Sequence, residues 1–215
     1  MVKKLFKVFK NFAYYKRDGS VPGGFEIVTH PFSWMWYREN RKMFEAALEL
    51  LRKNGFRSYE PGMCGIHVHM SRKAFTDVHL FKFLKFFFEN HDFMYIISQR
   101  DDYSTQRGCQ WGKKRGRKDQ KTLLKKTKEK GTGDHGNRFT AVNLESPGTY
   151  EVRIFRGTLK ASSFMKNVEF CKAAYDFTDS SGISHVKIPE FKQYVSDRQK
   201  VFSNLFEFMV KKELL

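Results

Sequence analysis

Apolar residues along this chain follow two different periods, and the alternation between them outlines the fold. Leu5, Val8, Phe9 and Phe12 recur at helical spacing, which predicts a short amphipathic helix at the start. Residues 13–16 and 24–29 read as two short strands around an Asp18-Gly-Ser-Val-Pro-Gly-Gly turn. Helical spacing returns from Trp34 to about Asn54, with Met43, Ala46, Ala47, Leu50 and Leu51 as the apolar stripe and Gly55 as the stop signal. Residues 64–70 alternate and predict a strand. Ser71 then reads as the N-cap of a helix carrying Phe75, Val78, Leu80, Phe81, Leu84 and Phe87. Residues 93–98 continue as an apolar helical piece. Residues 138–144 and 149–155 alternate around Ser146-Pro-Gly, the pattern of a β-hairpin. Residues 163–178 and 189–211 carry the stripes of closing helices.

Strands bearing polar residues, interleaved with helices, predict an α+β fold: a mostly antiparallel sheet with helices packed on one face. With 215 residues and no internal repeat or linker, the expectation is a single domain over 1–215. The 40% hydrophobic content, with 23 Phe, is enough for an aromatic core and excludes wholesale disorder. No apolar stretch predicts a membrane span or a signal peptide. Three Cys without paired spacing point to reduced thiols and a cytoplasmic setting, not a disulfide scaffold.

The formal charge of +17 is uneven. From Lys113 to Lys130 the chain holds ten Lys/Arg and two acids, a net of +8 in 18 residues. Residues 113–136 therefore read as a basic, flexible insertion. Such a block is commonly a solvated loop. Its functional counterpart is a surface for nucleic acid or an acidic protein. No aromatic residue interrupts the run, which counts against base stacking.

Several strands place acids, histidines or arginines on one side. His67 and His69 share a strand face, as do Glu151 and Arg153. Glu26 lies between Phe25 and Ile27, and Asp18 precedes it across the glycine turn. If these strands share a sheet, one face collects Asp18, Glu26, His67, His69, Glu151, Arg153 and Asn143. Carboxylates and imidazoles gathered in this way repel unless a cation holds them, and oxygen-rich ligation favours Mg²⁺ or Mn²⁺. Arginines beside them suit a phosphate or carboxylate. Taken singly, each signal has a plainer reading: His-Val-His as a strand edge or a zinc pair, and Glu-Val-Arg as a same-face ion pair. A His-based zinc hydrolase is a third possibility, although no third ligand of standard spacing is visible.

As a set, the motifs are more specific. Cys64-Gly-Ile-His-Val-His-Met-Ser71 resembles the Gly–apolar–His–x–His–x–Ser signature of glutamine synthetases and related carboxylate–amine ligases. Thr149-Tyr-Glu-Val-Arg-Ile-Phe-Arg-Gly157 is similar to the late Glu-x-Arg strand of that superfamily. Asp18 to Glu26 resembles its segment of two acids eight residues apart. The set looks most like the amidoligase family, many of whose members are phage-encoded, over about residues 14 to 160.

The resemblance implies a glutamine synthetase catalytic-domain-like fold and ATP-dependent joining of a carboxylate to an amine through an acyl-phosphate. It implies Asp18 and Glu26 at one divalent ion, and His67 and Glu151 at another near the nucleotide phosphates. His69 would line the substrate pocket, and Arg153 and Arg156 would stabilise phosphate charge. Arg100 and Arg138 would clamp a substrate carboxylate, with Asn143 on the adjoining strand. Arg153 and Arg156 are an odd number of residues apart, so a straight strand would not put them on one face. Implied partners are a nucleotide and a small amine, carboxylate or peptide, and a phage-encoded copy would work in the host cytoplasm. Family members begin with a Gly-x-Glu-x-Glu strand that this chain does not show, since Glu26 is its first Glu. The expected sheet therefore lacks its first strand, which leaves an edge open to homo-oligomer pairing. The competing reading is a non-catalytic member of the fold that binds nucleic acid or an acidic protein through the basic insertion.

Overall fold

Asn40 divides the first long helical stretch. In the computed structural model, which describes residues 1–17, 23–58, 64–100 and 140–215, Trp34–Glu39 (α2) and Arg41–Lys53 (α3) are separate helices. Asn40 sits outside helical geometry at φ −106°, ψ 15°, and its side-chain amide donates to the Trp36 carbonyl at 2.8 Å. Asparagine competes with the helix by bonding to nearby backbone, so the single helix expected here is two. The buried residues of α3 are Phe44, Ala47 and Leu51, rather than the wider stripe read from the sequence. Gly55, at φ +77°, ends the helix as expected: Gly55 N–H donates to the Arg52 carbonyl and Phe56 N–H to that of Leu51.

The described residues fall into two compact units, 1–64 with 157–164 and 65–156 with 165–215. The first contains Val2–Phe9 (α1), Ala13–Arg17 (β1), Phe25–Thr29 (β2), α2 and α3. β1 and β2 pair antiparallel as a two-stranded sheet. Leu5 and Phe9, four residues apart on one face of α1, are both buried. Aromatic rings fill this core. Phe12 stacks on Trp36 at 4.1 Å, Phe9 meets Phe44 at 6.1 Å, and Phe44 stacks on Phe164 at 5.5 Å.

The second unit is built on a three-stranded antiparallel sheet in the order β3-β5-β4: Gly65–Ser71 (β3), Thr149–Arg156 (β5) and Val142–Asn143 (β4). The β4–β5 pairing confirms the expected hairpin, with a shorter first strand. The helices are Asp77–Glu89 (α4), His91–Ser98 (α5), Ala161–Ser180 (α6, which begins in the first unit), Ile188–Ser196 (α7) and Ser203–Lys211 (α8). The closing stretch is thus α7 and α8 rather than one continuous helix. Ser71 does not cap α4. It is the last residue of β3, a 3₁₀ turn over Arg72–Ala74 follows, and Thr76 is the cap, accepting from His79 N–H at 3.1 Å.

Phenylalanines on these helices meet the apolar face of the sheet. Phe155 contacts Phe170 at 6.0 Å, Phe170 contacts Phe191 at 5.8 Å, and Phe86 contacts Phe191 at 4.8 Å. Buried polar groups tie off helix ends. Glu169 accepts from Leu205 N–H at 2.9 Å and from the Asn204 side chain at 2.8 Å, satisfying the N-terminus of α8. Lys82 donates to the carbonyls of Asp179 and Ser181 at the end of α6. Lys166, 1% exposed, donates to the Ile97 carbonyl at 2.5 Å and closes the end of α5.

The architecture is α+β with small antiparallel sheets and eight α-helices among the described residues. The polar strands do not share one sheet, as the sequence reading expected. Glu26 belongs to the β1–β2 sheet, whereas His67 and Glu151 belong to β3 and β5. Alternation assigns a residue to a face, but it does not choose the partner strand, which is why this expectation failed. No described helix is long and apolar enough to cross a membrane.

Candidate functional site

Glu151 lies at the centre of the three-stranded sheet, with His69 directly opposite on β3 and Asn143 directly opposite on β4. Residues in direct register share a sheet face, so these three form a row across all three strands. The Glu151 side chain is only 5% exposed, and both of its oxygens are engaged. Oε1 meets His67 Nδ1 at 3.0 Å and His69 Nε2 at 3.7 Å, and it accepts from Arg153 Nη1. Oε2 accepts from Asn143 Nδ2 at 2.8 Å and from Ser146 Oγ at 3.2 Å.

Burial pushes the Glu151 carboxyl up, but the hydrogen bonds from His67 and Asn143 and the Arg153 charge outweigh it and hold the group at about 2. Glu151 is therefore a carboxylate at neutral pH. A carboxylate only accepts, so the proton of the His67 contact sits on Nδ1. The other nitrogen, Nε2, faces the start of β3. A Cβ placed on Gly65 would lie 3.3 Å from it, 3.6 Å from Arg100 Nη2 and 3.4 Å from the Phe155 carbonyl oxygen.

Arg100 follows α5, where Gln99 turns the chain at φ +55°. Its Nη1 donates to the Arg153 carbonyl at 3.1 Å and its backbone N–H to Ser98 Oγ at 3.1 Å. Arg153 N–H donates to the Ala141 carbonyl at 2.9 Å, which lengthens the β4 pairing by one bond.

Strand β5 carries a bulge. Ile66 stands opposite Phe155 and Val68 opposite Val152, so two steps along β3 match three along β5. The extra residue reverses the alternation beyond it. Arg156 consequently pairs with Gly65 and shares the face of His67, His69 and Glu151. The odd offset between Arg153 and Arg156, which argued against a common face on a straight strand, is absorbed by this bulge.

Of the residues singled out in the sequence, His67, His69, Glu151, Arg153, Asn143, Arg156 and Arg100 all belong to this sheet face or its rim. Glu26 does not. It is exposed on β2 opposite Lys16. Asp18, Arg138 and the whole basic run from Lys113 to Lys130 lie outside the described residues. Four further contributors escaped the sequence reading. Ser146 read only as a turn former, yet it donates to Glu151. Thr149 Oγ1 bonds His69 Nδ1 at 2.9 Å. Gly65 leaves room beside His67. Arg72 clips the β4–β5 turn: its N–H donates to the Gly148 carbonyl at 3.0 Å, its Nε to that of Thr149 at 3.3 Å, and its Nη2 to that of Leu144. Polar residues flanking the hairpin turn were the available signal for the first two.

Chemically, the face offers an oriented imidazole, a second and more exposed imidazole, and several guanidiniums around a neutralised carboxylate. Among the described residues no group of three or more His, Cys, Asp or Glu is arranged to hold a metal ion. Glu151, the one carboxylate of this face among the described residues, would have to release a present donor to bind one.

A family profile described as "Putative amidoligase enzyme" matches residues 6–175. No curated protein and no solved structure matches the chain.

Proposed function

Because the chain belongs to this amidoligase family, we propose that it joins a carboxylate to an amine at the expense of ATP, on the sheet face centred on Glu151. The observation that carries the reading is the buried Glu151 carboxylate, bonded at once to His67, Arg153 and Asn143. In the proposed reaction the substrate carboxylate attacks the γ-phosphorus and ADP leaves. The amine then attacks the acyl-phosphate carbon, its nitrogen gives up a proton, and inorganic phosphate leaves carrying that proton or passing it to solvent. Arg153 and Arg156 would stabilise phosphoryl charge. Arg100 would hold an anionic group of the substrate, with Arg138 in the same role. His69, half exposed, would line the amine side. A glutamine synthetase-like catalytic fold belongs to this proposal as well.

Mg²⁺ or Mn²⁺ is part of the same reading, with Asp18 and Glu26 for one ion and His67 and Glu151 for another. The described residues do not by themselves fit an oxygen-rich cation site, because both Glu151 oxygens already accept from protein donors.

The test is ADP release from ATP with Mg²⁺ and panels of amino acids and short peptides, followed by mass spectrometry of the amide product. Turnover that Arg156→Ala lowers by about 10²-fold supports the assignment. No nucleotide binding with any divalent ion would remove it. The basic run favours a second reading, a binding protein for nucleic acid or an acidic protein, in which case affinity falls steeply with salt.

A further inference from the structure

We propose that the space over Gly65 is the seat of one oxyanion group of the ligand, lined by Arg100, Arg156 and His67, and that Gly65 determines specificity by keeping this seat open. Gly65 is not held at a positive φ, so backbone geometry does not demand a glycine there. What the missing side chain provides is space. The position a Cβ would take is bounded by His67 Nε2 at 3.3 Å, the Phe155 carbonyl oxygen at 3.4 Å and Arg100 Nη2 at 3.6 Å, so a ligand oxygen there meets two nitrogens and one acceptor. Oxygen atoms of a bound anion sit at about 2.7–2.9 Å from such nitrogens, so a methyl group and a ligand oxygen compete for the same place.

Two independent features bring cationic residues to this side of the sheet. The bulge in β5 turns Arg156 onto the face of Gly65, its direct partner in register. The turn at Gln99 brings Arg100 in from the end of α5, and the Arg153 carbonyl fixes its guanidinium. His67 is aimed by Glu151, which holds Nδ1 and leaves Nε2 toward the seat. Planar guanidiniums match phosphoryl and carboxylate oxygens in pairs of hydrogen bonds, so the seat suits either chemistry. Naming that oxyanion as a ligase substrate group rests on the proposed function; the seat itself does not.

The experiment is an amide NMR titration of the full chain with inorganic phosphate and, separately, with acetate. Expected is saturable binding of one of them, with shifts at the Gly65 and Arg156 amides. Gly65→Ala, whose spectrum shows whether it keeps the fold, should weaken that binding about tenfold or more. Arg156→Gln should do the same without touching the glycine. Whichever probe binds tells whether the seat takes a phosphoryl or a carboxylate group. Unchanged affinity in both variants, or no binding of either probe, would overturn the proposal. If binding is lost in Gly65→Ala while the wild-type chain releases no ADP with any substrate pair, the seat stands and the ligase reading falls. If Gly65→Ala releases ADP as the wild type does, the reading stands and the seat falls.

Discussion

Arg156 stands directly opposite Gly65, although it lies an odd number of residues from Arg153 and from Glu151 by a count that a flat strand would not allow on one face. The bulge reconciles the two requirements: Ile154 and Phe155 both remain buried in the core, and the arginines on either side reach the polar face.

Glu151→Gln keeps the shape of the side chain and removes its charge. Arg153 then loses its ion pair with Glu151 at a nearly closed site, and we expect a loss of about 2–3 kcal/mol in urea unfolding. The carboxyl sits at about 2 in the fold against 4.5 ordinarily. Its contribution is therefore complete above about pH 4.5 and disappears as pH falls toward 2. The variant should show a shallower acid limb over that window.

Lys166 is enclosed by Phe155 and Phe208 and meets the Ile97 carbonyl. Burial pushes its ammonium down to about 7, from 10.5. The unfolded chain therefore binds more protons between these values, and stability rises with pH across them, by at most about 1.4 kcal/mol per pH unit. Lys166→Met should abolish this rise, as followed by denaturant midpoints from neutral to alkaline pH.

Gly157→Ala should be far harder to accommodate than Gly65→Ala. Its Cβ would lie 2.9 Å from the Cys64 carbonyl oxygen and 2.6 Å from Ser58 Oγ, and the first of these is backbone that cannot swing away. A loss of about 1–3 kcal/mol is expected from crowding. A variant as stable as the wild type in thermal unfolding would contradict this packing.

Glu169→Ala removes the acceptor for Leu205 N–H and for the Asn204 amide, both at the start of α8. Stability should drop by about 2 kcal/mol. Hydrogen exchange should accelerate first in the opening turn of α8, with the β3–β5 amides little affected.

Removing residues 113–130 takes away a net charge of +8. If this run grips a polyanion, retardation of a short RNA or DNA duplex at low salt should vanish in the deletion, while Arg156→Ala leaves it unchanged.

The row His69–Glu151–Asn143 was legible in the sequence, because period-two alternation assigns faces and the Ser146-Pro-Gly turn pairs β4 with β5. The family was legible too, from Gly65-Ile-His-Val-His69 and Glu151-Val-Arg153. The break at Asn40 was not, since one asparagine inside a strong apolar period gives little warning of its side chain bonding Trp36. The cap of α4 was misplaced because Ser71 and Thr76 are both capping residues, and the choice between them depended on how far β3 extends. The bulge and the division into two sheets were hidden for one reason: both depend on which strands meet, and local periodicity carries no information about partners.

The bulge makes one residue of β5 dispensable to the facing pattern. Loss of the single codon for Ile154 would restore regular pleating and still leave Phe155 inward and Arg156 on the polar face, an even two steps from Arg153. Such a deletion should therefore cost the packing of the Ile154 side chain and spare the register between Arg156 and Gly65.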